Sequence, residues 1–264
     1  MTSQPPTDDP TMDDAMMDHQ ATVPPAPDDD ALDAPDAPDA PDAPDAPDPE
    51  RIGAAQGAGR SDPLAIKTVR FLGGLASAGG WRPDTTLPEV AFAGRSNVGK
   101  SSLLNHLVRR KAFARVSRTP GRTREINFFA VNESFVLVDL PGYGYARVSK
   151  AQKTEWRPLM EQYLTVTTQL RGVVQLLDVR REPSQDDRAM LDFLADHEIP
   201  VLIAVTKVDK VAASKVQVEL DRIAGELELD PEQVVGFSAH TGRGRDELAE
   251  AVASLIVQPA WRSA

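Results

Sequence analysis

From about residue 88 onward, short apolar runs alternate with stretches whose apolar residues repeat every three or four positions. Four of the runs have the length of buried strands: Val90–Ala93, Val173–Leu177, Val201–Val205 and Val234–Phe237. The helical repeats predict helices near 150–166 and 186–196, around 220–227 and around 248–256. Strands that alternate with helices are typical of a mainly parallel sheet covered by helices on both faces.

Two further strand-like runs, Ile126–Val131 and Phe135–Val138, are separated by Asn132-Glu133, which suits a hairpin turn. The prediction is therefore an α/β fold over residues 88–260, with a mixed, mostly parallel sheet of six strands whose antiparallel edge comes from this hairpin. Residues 63–87 contain Gly-Gly pairs at 73–74 and 79–80. They are expected to be a lead-in segment without a long element.

Composition separates the first 62 residues from this domain. Residues 1–50 hold 15 of the 40 Asp and Glu and none of the 29 Lys and Arg, whereas the rest of the chain carries a net charge of +4. The triplet Asp-Ala-Pro repeats from Asp33 to Asp48. Dense proline and few apolar side chains predict a disordered acidic tail over residues 1–62. Such a tail could bind a basic partner, repel nucleic acid or simply be solvated, and composition assigns it no function.

The chain has no cysteine, which excludes disulfides and thiolate metal sites and fits a reducing compartment. Its first residues have neither the basic region nor the apolar core of a signal peptide. Its apolar runs are too short to span a bilayer. We therefore expect a cytoplasmic protein without membrane contact, acting as a monomer.

The residues between the strand at 90–93 and the next helix form the pattern Gly-x-x-x-x-Gly-Lys-Ser, from Gly94 to Ser101. In this context the pattern binds phosphate, because the glycines let backbone N–H groups turn toward phosphate oxygens and the helix N-terminus adds positive charge. Lys100 would reach the β- and γ-phosphates, and the Ser101 hydroxyl would bind Mg²⁺. The sequence predicts a nucleoside triphosphate site.

An acid and a glycine follow the second strand of the hairpin, in Asp139-Leu-Pro-Gly142. After a phosphate loop and at the end of an apolar strand, Asp139 suits indirect coordination of Mg²⁺. The N–H of Gly142 would then sense the γ-phosphate.

Thr206-Lys-Val-Asp209 also follows a buried strand, and it favours guanine over adenine. The carboxylate of Asp209 can accept hydrogen bonds from guanine N1–H and the 2-amino group, whereas adenine would leave it unpaired. Lys207 can lie along the base plane through its aliphatic stem. After the next strand, a backbone N–H at Ser238-Ala239 could meet guanine O6. The order of these motifs predicts GTP.

Five segments of the chain resemble the G-motifs of the EngB/YsxC (YihA) GTPases, in the Era/EngA/TrmE branch of P-loop GTPases. They are Gly94–Ser102, Thr119–Thr123, Asp139–Tyr145, Thr206–Asp209 and Phe237–Ala239, and the resemblance extends over about residues 66–258. It implies a Ras-like P-loop domain that hydrolyses GTP to GDP and phosphate. It also implies a role in late assembly of the large ribosomal subunit and a link to normal cell division and septation.

The resemblance assigns roles residue by residue. The nucleotide contacts would be Gly94, Arg95, Ser96, Asn97, Val98, Gly99, Lys100, Ser101 and Ser102, then Gly121, Arg122, Thr123, Arg124 and Glu125, then Asp139, Leu140, Pro141 and Gly142, then Thr206, Lys207, Val208 and Asp209, and finally Phe237, Ser238 and Ala239. Lys100, Thr123 and Gly142 would serve catalysis. Ser101 and Thr123 would be the Mg²⁺ ligands, with Thr123 on a loop that closes over the γ-phosphate.

Tyr143 occupies the position where other GTPases carry a water-orienting glutamine. We therefore expect slow intrinsic hydrolysis, accelerated by a partner or an ion. Asn97 stands where potassium-activated relatives place a metal-ligating asparagine, so K⁺ bound there could supply the missing positive charge. The alternative is that Asn97 is a loop residue that tolerates an unusual backbone angle.

Residues 109–124 contain seven Lys or Arg and no acid, and we name them the basic stretch. This charge favours contact with ribosomal RNA, in keeping with a precursor of the large ribosomal subunit as partner. The charges could instead be solvated or screen the nucleotide's own phosphates. Two other function classes compete with this one. A metabolic P-loop kinase disagrees with Thr206–Asp209, whereas a signalling or septation GTPase with a protein effector shares every nucleotide residue.

Overall fold

The computed structural model describes residues 62–110, 125–143 and 150–260, without the side chains of residues 150–157. The strands of this part are β1 Val69–Leu75, β2 Glu89–Gly94, β3 Ile126–Val131, β4 Phe135–Asp139, β5 Leu170–Asp178, β6 Val201–Thr206 and β7 Val234–Phe237. The α-helices are α1 Lys100–Leu107, α2 Lys150–Val166, α3 Gln185–Asp196, α4 Val216–Glu226 and α5 Arg245–Val257. Within these ranges no helix is both long and apolar enough to cross a membrane.

The strands form one sheet in the order β1-β3-β4-β2-β5-β6-β7. Neighbouring strands are parallel from β4 through β2, β5 and β6 to β7, and antiparallel at β1-β3 and β3-β4. The predicted α/β fold with a mixed, mostly parallel sheet is therefore confirmed. The predicted count of six strands is wrong by one, because the sheet has seven.

The additional strand, β1, comes from the segment that the sequence predicted to be a lead-in without a long element. It pairs with β3, so the edge of the sheet is β1 and not the hairpin. Its register shifts between Phe71 and Gly73, and Gly73 has φ 150°. The glycine pair therefore permits a bulged strand, where the sequence interpretation took it as a break.

The predicted hairpin turn at Asn132-Glu133 is confirmed. Both residues have positive φ, 52° and 50°, and the N–H of Ser134 closes the turn on the carbonyl of Val131 at 2.9 Å. The Asn132 side chain also reaches the chain before β1, since its Oδ1 accepts from the N–H groups of Lys67 at 2.8 Å and Thr68 at 3.0 Å. One turn residue thus joins the hairpin to the start of the edge strand.

Side chains alternate between two apolar layers, one on each face of the sheet. Along β2, Val90 and Phe92 point into the layer formed with α1 and α5, while Ala91 and Ala93 point into the layer formed with α2 and α3. All four residues are fully buried. Helix α4 covers the β6-β7 end of the second face. Both faces of β2 are covered, which explains why its sequence is continuously apolar.

Candidate nucleotide-binding site

The four described sequence motifs meet at one edge of the sheet. Gly94 ends β2, Asp139 ends β4, Thr206 ends β6 and Phe237 ends β7. These strands are part of the parallel array, so their carboxyl ends lie on the same side. In open α/β sheets, ligands bind in the crevice outside this edge.

The phosphate loop turns as its glycine pattern requires. Gly99 has φ 112°, in a region that favours glycine, and it leads directly into α1. The loop closes with a hydrogen bond of 3.1 Å from the N–H of Val98 to the carbonyl of Arg95. Asn97 has φ 66° and is exposed. Its backbone thus has the unusual angle that we expect if Asn97 is a loop residue and not a K⁺ ligand.

Lys100 pairs with Asp139, which joins the first residue of α1 to the last residue of β4. Both side chains are about nine-tenths buried. An ammonium and a carboxylate of this burial are stabilised only as a pair. The predicted phosphate-binding lysine and the predicted acid of the Mg²⁺ shell therefore lie side by side.

Gly142 lies directly against the phosphate loop. A Cβ at this position would come 3.2 Å from the Ser96 Oγ and 3.3 Å from the Ser96 backbone nitrogen, so a larger residue would displace the loop. The next residue continues the contact, because the N–H of Ser96 donates to the carbonyl of Tyr143 at 3.0 Å. Tyr143 in turn donates its N–H to Gly94 at 3.3 Å. The segment predicted to sense the γ-phosphate is thus paired with the loop predicted to bind it.

The side chain of Tyr143 takes no part in this pairing. It is 3% exposed and packs in the apolar layer with α2 and α3. Its hydroxyl donates to Asp187 Oδ1 at 3.0 Å, and Asp187 forms the capping box of α3 with Ser184. Burial, reinforced by the Asp187 charge, raises the pKa of Tyr143 well above its usual value. The phenol therefore stays a neutral donor to α3, and a water-orienting role like that of glutamine would require the ring to leave the core.

Asp209 is oriented as an acceptor at the end of β6. Its Oδ1 accepts from the Ser238 hydroxyl at 2.7 Å, and its Oδ2 lies 3.2 Å from the Lys210 ammonium. The Ser238 hydrogen bond is the main cause that lowers the pKa of Asp209. The side chain is therefore ionised at neutral pH, as hydrogen bonding to two guanine donors requires.

Ser238 organises the loop after β7. Its side chain is fully buried, and its Oγ accepts from the backbone N–H groups of His240 at 3.2 Å and Thr241 at 3.1 Å. The sequence singled out Ser238-Ala239 for a backbone N–H toward guanine O6. The structure gives the Ser238 hydroxyl a second task, because it also fixes the carboxylate of Asp209.

Thr206 and Lys207 connect the base motif to the phosphate loop. The Thr206 hydroxyl lies 2.7 Å from the carbonyl oxygen of Val98. The ammonium of Lys207 donates to the carbonyl of Asn97 at 2.9 Å and to Asp178 Oδ2 at 2.9 Å. The two predicted subsites are therefore joined through two consecutive carbonyls of the phosphate loop.

Sequence reasoning did not identify Asp178, the last residue of β5. Its carboxylate also accepts from Arg180, with Nε at 2.9 Å and Nη2 at 2.7 Å. It borders a cavity of about 200 Å³ beside the phosphate loop, which Arg95 and Asp187 also line. The sequence did contain one signal for Asp178, namely its position. An acid that ends a buried parallel strand lies at the same end of the sheet as Asp139 and Thr206.

Several predicted site residues fall outside the described part of the chain. These are Gly121, Arg122, Thr123 and Arg124, together with residues 111–120 of the basic stretch. The role of Thr123 therefore stays a prediction. Glu125 is described and exposed. The remaining predicted contacts line the loops at the sheet edge: Ser101, Ser102 and Ala239 are partly buried, and Val98, Leu140, Pro141, Val208 and Phe237 are buried.

Comparison with known proteins agrees with this geometry. Residues 89–207 match the family model described as "50S ribosome-binding GTPase". A GTP-binding protein EngB of Gemmatimonas aurantiaca is 59% identical over 200 residues, which cover 76% of this chain and 98% of that protein. The EngB of an Exiguobacterium species is 49% identical over 177 residues, covering 67% of this chain and 90% of that protein.

Solved structures show the same fold. A crystal structure of an EngB protein superposes with a TM-score of 0.54 at 25% identity, covering 64% of this chain and 98% of that one. Era of Aquifex aeolicus bound to GDP and AlF4⁻ gives a TM-score of 0.54 at 25% identity, over 67% of this chain and 60% of that one. The sequence matches and this fold together establish the family: the chain belongs to the EngB family of GTP-binding proteins.

Proposed function

We propose that this chain is a GTP-hydrolysing molecular switch that assists assembly of the large ribosomal subunit and is linked in this way to normal cell division and septation. The observation that carries the nucleotide half of the proposal is the Asp209–Ser238 pair, which presents an ionised acceptor beside the phosphate loop. Such an acceptor is suited to guanine. The Lys100–Asp139 pair on the same edge supplies the groups that a triphosphate needs.

The residues present fit a nucleotide-bound Mg²⁺. Ser101 offers a hydroxyl in the first turn of α1, and Asp139 offers a carboxylate next to Lys100. Oxygen donors of this kind are those that Mg²⁺ prefers, with the remaining positions filled by phosphate and water. When bound, Mg²⁺ would neutralise charge on the β- and γ-phosphates. Thr123 completes the proposed set.

Slow intrinsic hydrolysis belongs to the same proposal. The support is the buried hydroxyl of Tyr143, which is engaged with Asp187 and leaves the glutamine position without a polar group toward the phosphates. A partner or a K⁺ ion at Asn97 would supply the missing contribution. Hydrolysis rates measured in K⁺ and in Na⁺ at equal ionic strength test the ion, and equal rates would exclude it.

Support for the ribosomal partner comes from the description of the matching family model, "50S ribosome-binding GTPase". The basic stretch adds a region of cationic charge suited to RNA phosphates. The proposed action is cytoplasmic, on a precursor of the large subunit. The proposed mode of action is that GTP orders the loop of Thr123 for binding, and that hydrolysis releases it.

The test is co-sedimentation of the purified protein with large ribosomal subunits, in the presence of a non-hydrolysable GTP analogue or of GDP. We expect binding with the analogue and at least about tenfold less with GDP, as typical coupling energies allow. Nucleotide occupancy is measured in the same samples. Full occupancy without co-sedimentation in either state would contradict the ribosomal partner and favour a protein effector.

The basic stretch needs its own test, and the structure decides which cations to change. Arg109 pairs with Asp62 at 3.4 Å, and Arg110 donates to the carbonyl of Lys67 at 2.6 Å. Reversing these two charges would disturb contacts within the domain. Charge reversal at Arg115 and Arg118 avoids those contacts, and it should weaken particle binding and flatten its salt dependence. Unchanged binding would assign these two charges to solvent.

A further inference from the structure

The carboxylate of Asp178, at the end of β5, accepts four hydrogen bonds. Oδ1 accepts from the Arg180 backbone N–H at 3.1 Å and from its Nε at 2.9 Å. Oδ2 accepts from the Arg180 Nη2 at 2.7 Å and from the Lys207 Nζ at 2.9 Å. The side chain is 6% exposed, and four hydrogen bonds use the full acceptor capacity of a carboxylate. Its position and charge are therefore fixed.

Lys207 is held in an otherwise unfavourable conformation. Its backbone has φ 62° and ψ 31°, in the left-handed region that a lysine rarely adopts. Such strain persists only where the surroundings over-determine it. Here the ammonium is bound at its far end to Asp178 Oδ2 and the Asn97 carbonyl, each at 2.9 Å. The aliphatic stem of Lys207 therefore extends from the end of β6 to the phosphate loop in a single fixed conformation.

We propose that Asp178 is a positioning residue for guanine-nucleotide binding, which acts by fixing the Lys207 side chain in the path along which the base stacks. Arg180 supports it from the solvent side by holding both carboxylate oxygens. The ligand class is any guanine nucleoside phosphate. The pair lies at the junction of the base motif with the phosphate loop, so Asp178 contributes equally to GDP and GTP and leaves the hydrolysis step unchanged.

This inference rests on guanine-nucleotide binding alone and is independent of the ribosomal partner. The first measurement is the affinity of Asp178→Asn for GDP and for a non-hydrolysable GTP analogue. Loss of one charge-assisted hydrogen bond predicts about tenfold weaker binding of both nucleotides. The rate of hydrolysis at saturating GTP should stay within about twofold of the unchanged protein, so that KM rises while kcat does not.

A matched control makes the same chemical change elsewhere. Glu226→Gln removes a carboxylate that pairs with Arg222 on α4, away from the site, and should leave both affinities unchanged. Thermal unfolding of each variant shows whether it is folded. Should Asp178→Asn fail to fold, Arg180→Gln is the substitute. It loosens the carboxylate from a half-exposed position, and about threefold weaker binding is expected.

A double-mutant cycle with Lys207 decides the proposal. If Asp178 acts through the lysine, Asp178→Asn or Arg180→Gln should change GDP affinity less than about twofold in a Lys207→Met background. An equal loss in both backgrounds would overturn the proposal, because Asp178 would then act by another route. Unchanged GDP affinity in the single variant would overturn it as well. Neither result depends on whether the protein binds ribosomal particles.

Discussion

Three acids lie at the ligand-binding edge of the sheet, and each has a different partner. Asp139 pairs with Lys100, and Asp178 pairs with Arg180 and Lys207. Like charges at the same end of one sheet would repel one another unless each were compensated. Asp209 is distinct because its main partner is the neutral hydroxyl of Ser238. It is therefore the acid whose charge is most available to a base.

Asp209→Asn should change which base the protein prefers. The amide presents a donor in place of one acceptor, so guanine loses a charge-assisted pair of hydrogen bonds while xanthine, with a carbonyl at position 2, gains a partner. We expect about 100-fold weaker GDP binding and a relative gain for XDP. Competition between the two nucleotides measures the ratio. Retained preference for GDP would place base recognition elsewhere.

Ser238→Ala removes the hydroxyl that orients Asp209 and that accepts two backbone N–H groups of the following loop. We expect about tenfold weaker binding of GDP, because the Asp209 carboxylate is no longer held in one orientation and the loop after β7 loses two hydrogen bonds. The pKa of Asp209 should rise toward its ordinary value, since this hydrogen bond is the main cause of its lowering. Calorimetric titration with GDP tests the affinity. Ser254→Ala on α5 is the matched control, since its hydroxyl bonds only to a carbonyl within the helix.

At the residue scale, the sequence predicted the groups that follow a spacing rule and missed those that do not. Lys100 and Asp209 belong to tetrapeptides whose order along the chain is informative. Asp178 is a single acid after a buried strand, and its partner Lys207 is distant in sequence and close only because β5 and β6 are neighbours. The strand order was needed to bring them together.

At the element scale, one turn residue of the hairpin anchors the start of the edge strand. The Asn132 side chain accepts two N–H groups from the chain before β1 and donates to the carbonyl of Ala65 at 3.1 Å. β1 is bulged and contains two glycines, and it is held by its pairing with β3 and by apolar side chains such as Leu75, which is buried in the layer with α2 and α3. The hydrogen bonds of Asn132 add to this attachment where β1 begins, next to the pair of Val69 with Val131.

The variants Asn132→Gly and Asn132→Ala separate the contribution of the side chain to stability from that of the backbone conformation. Both remove the four hydrogen bonds of the Asn132 side chain, which predicts about 2 kcal/mol lower free energy of unfolding. Alanine should cost about 1 kcal/mol more, because φ is 52° at this position. Urea unfolding measures the difference. Glu133→Gly at the next turn position loses only an exposed ion pair and should stay within about 1 kcal/mol. Equal stability of all variants would contradict the attachment.

Hydrophobic pattern predicted elements well where tertiary contacts agreed with local preference. The runs Ile126–Val131 and Val234–Phe237 are strands with those bounds. The helix after the phosphate loop ends at Leu107, and Arg109 just after it adopts φ 51° beside its acidic partners. The strand β1 was missed because pairing with β3 overrides the weak strand preference of its glycines.

At the scale of the whole molecule, a buried arginine joins three parts of the domain. Arg245, at the start of α5, is 6% exposed and donates to both carboxylate oxygens of Asp62, at 2.7 and 2.9 Å. Its Nη2 also donates to the carbonyl of Leu107 at 2.8 Å. The chain before β1, the end of α1 and the start of α5 are thus held at one point. Removal of Asp62 would leave the buried charge of Arg245 to Asp246, which lies 2.8 Å away and is largely exposed.

Asp62→Asn should destabilise the protein in a pH-dependent way. Burial opposes ionisation, but hydrogen bonding and charge from Arg245 outweigh it and lower the pKa of Asp62 below 3.8. A lowered pKa gives stability that is present above the unfolded value and lost as the pH falls through the folded value. We expect about 2 kcal/mol between variant and unchanged protein at about pH 7, shrinking as the pH falls below the ordinary pKa of the carboxyl and through its lowered folded value. A difference constant across this range in urea unfolding would contradict the ionic contribution.

The two carbonyls of the phosphate loop that receive Thr206 and Lys207 have a consequence for the nucleotide cycle. In the proposed nucleotide site, Thr206 and Lys207 would serve parts that GDP and GTP have in common, so their contribution cancels from the ratio of the two affinities. The junction instead affects how long a nucleotide stays bound, because a rigid junction would hold GDP as firmly as GTP. In the proposed switch cycle, a factor that hastens GDP release would therefore have to loosen Lys207 or its carboxylate support.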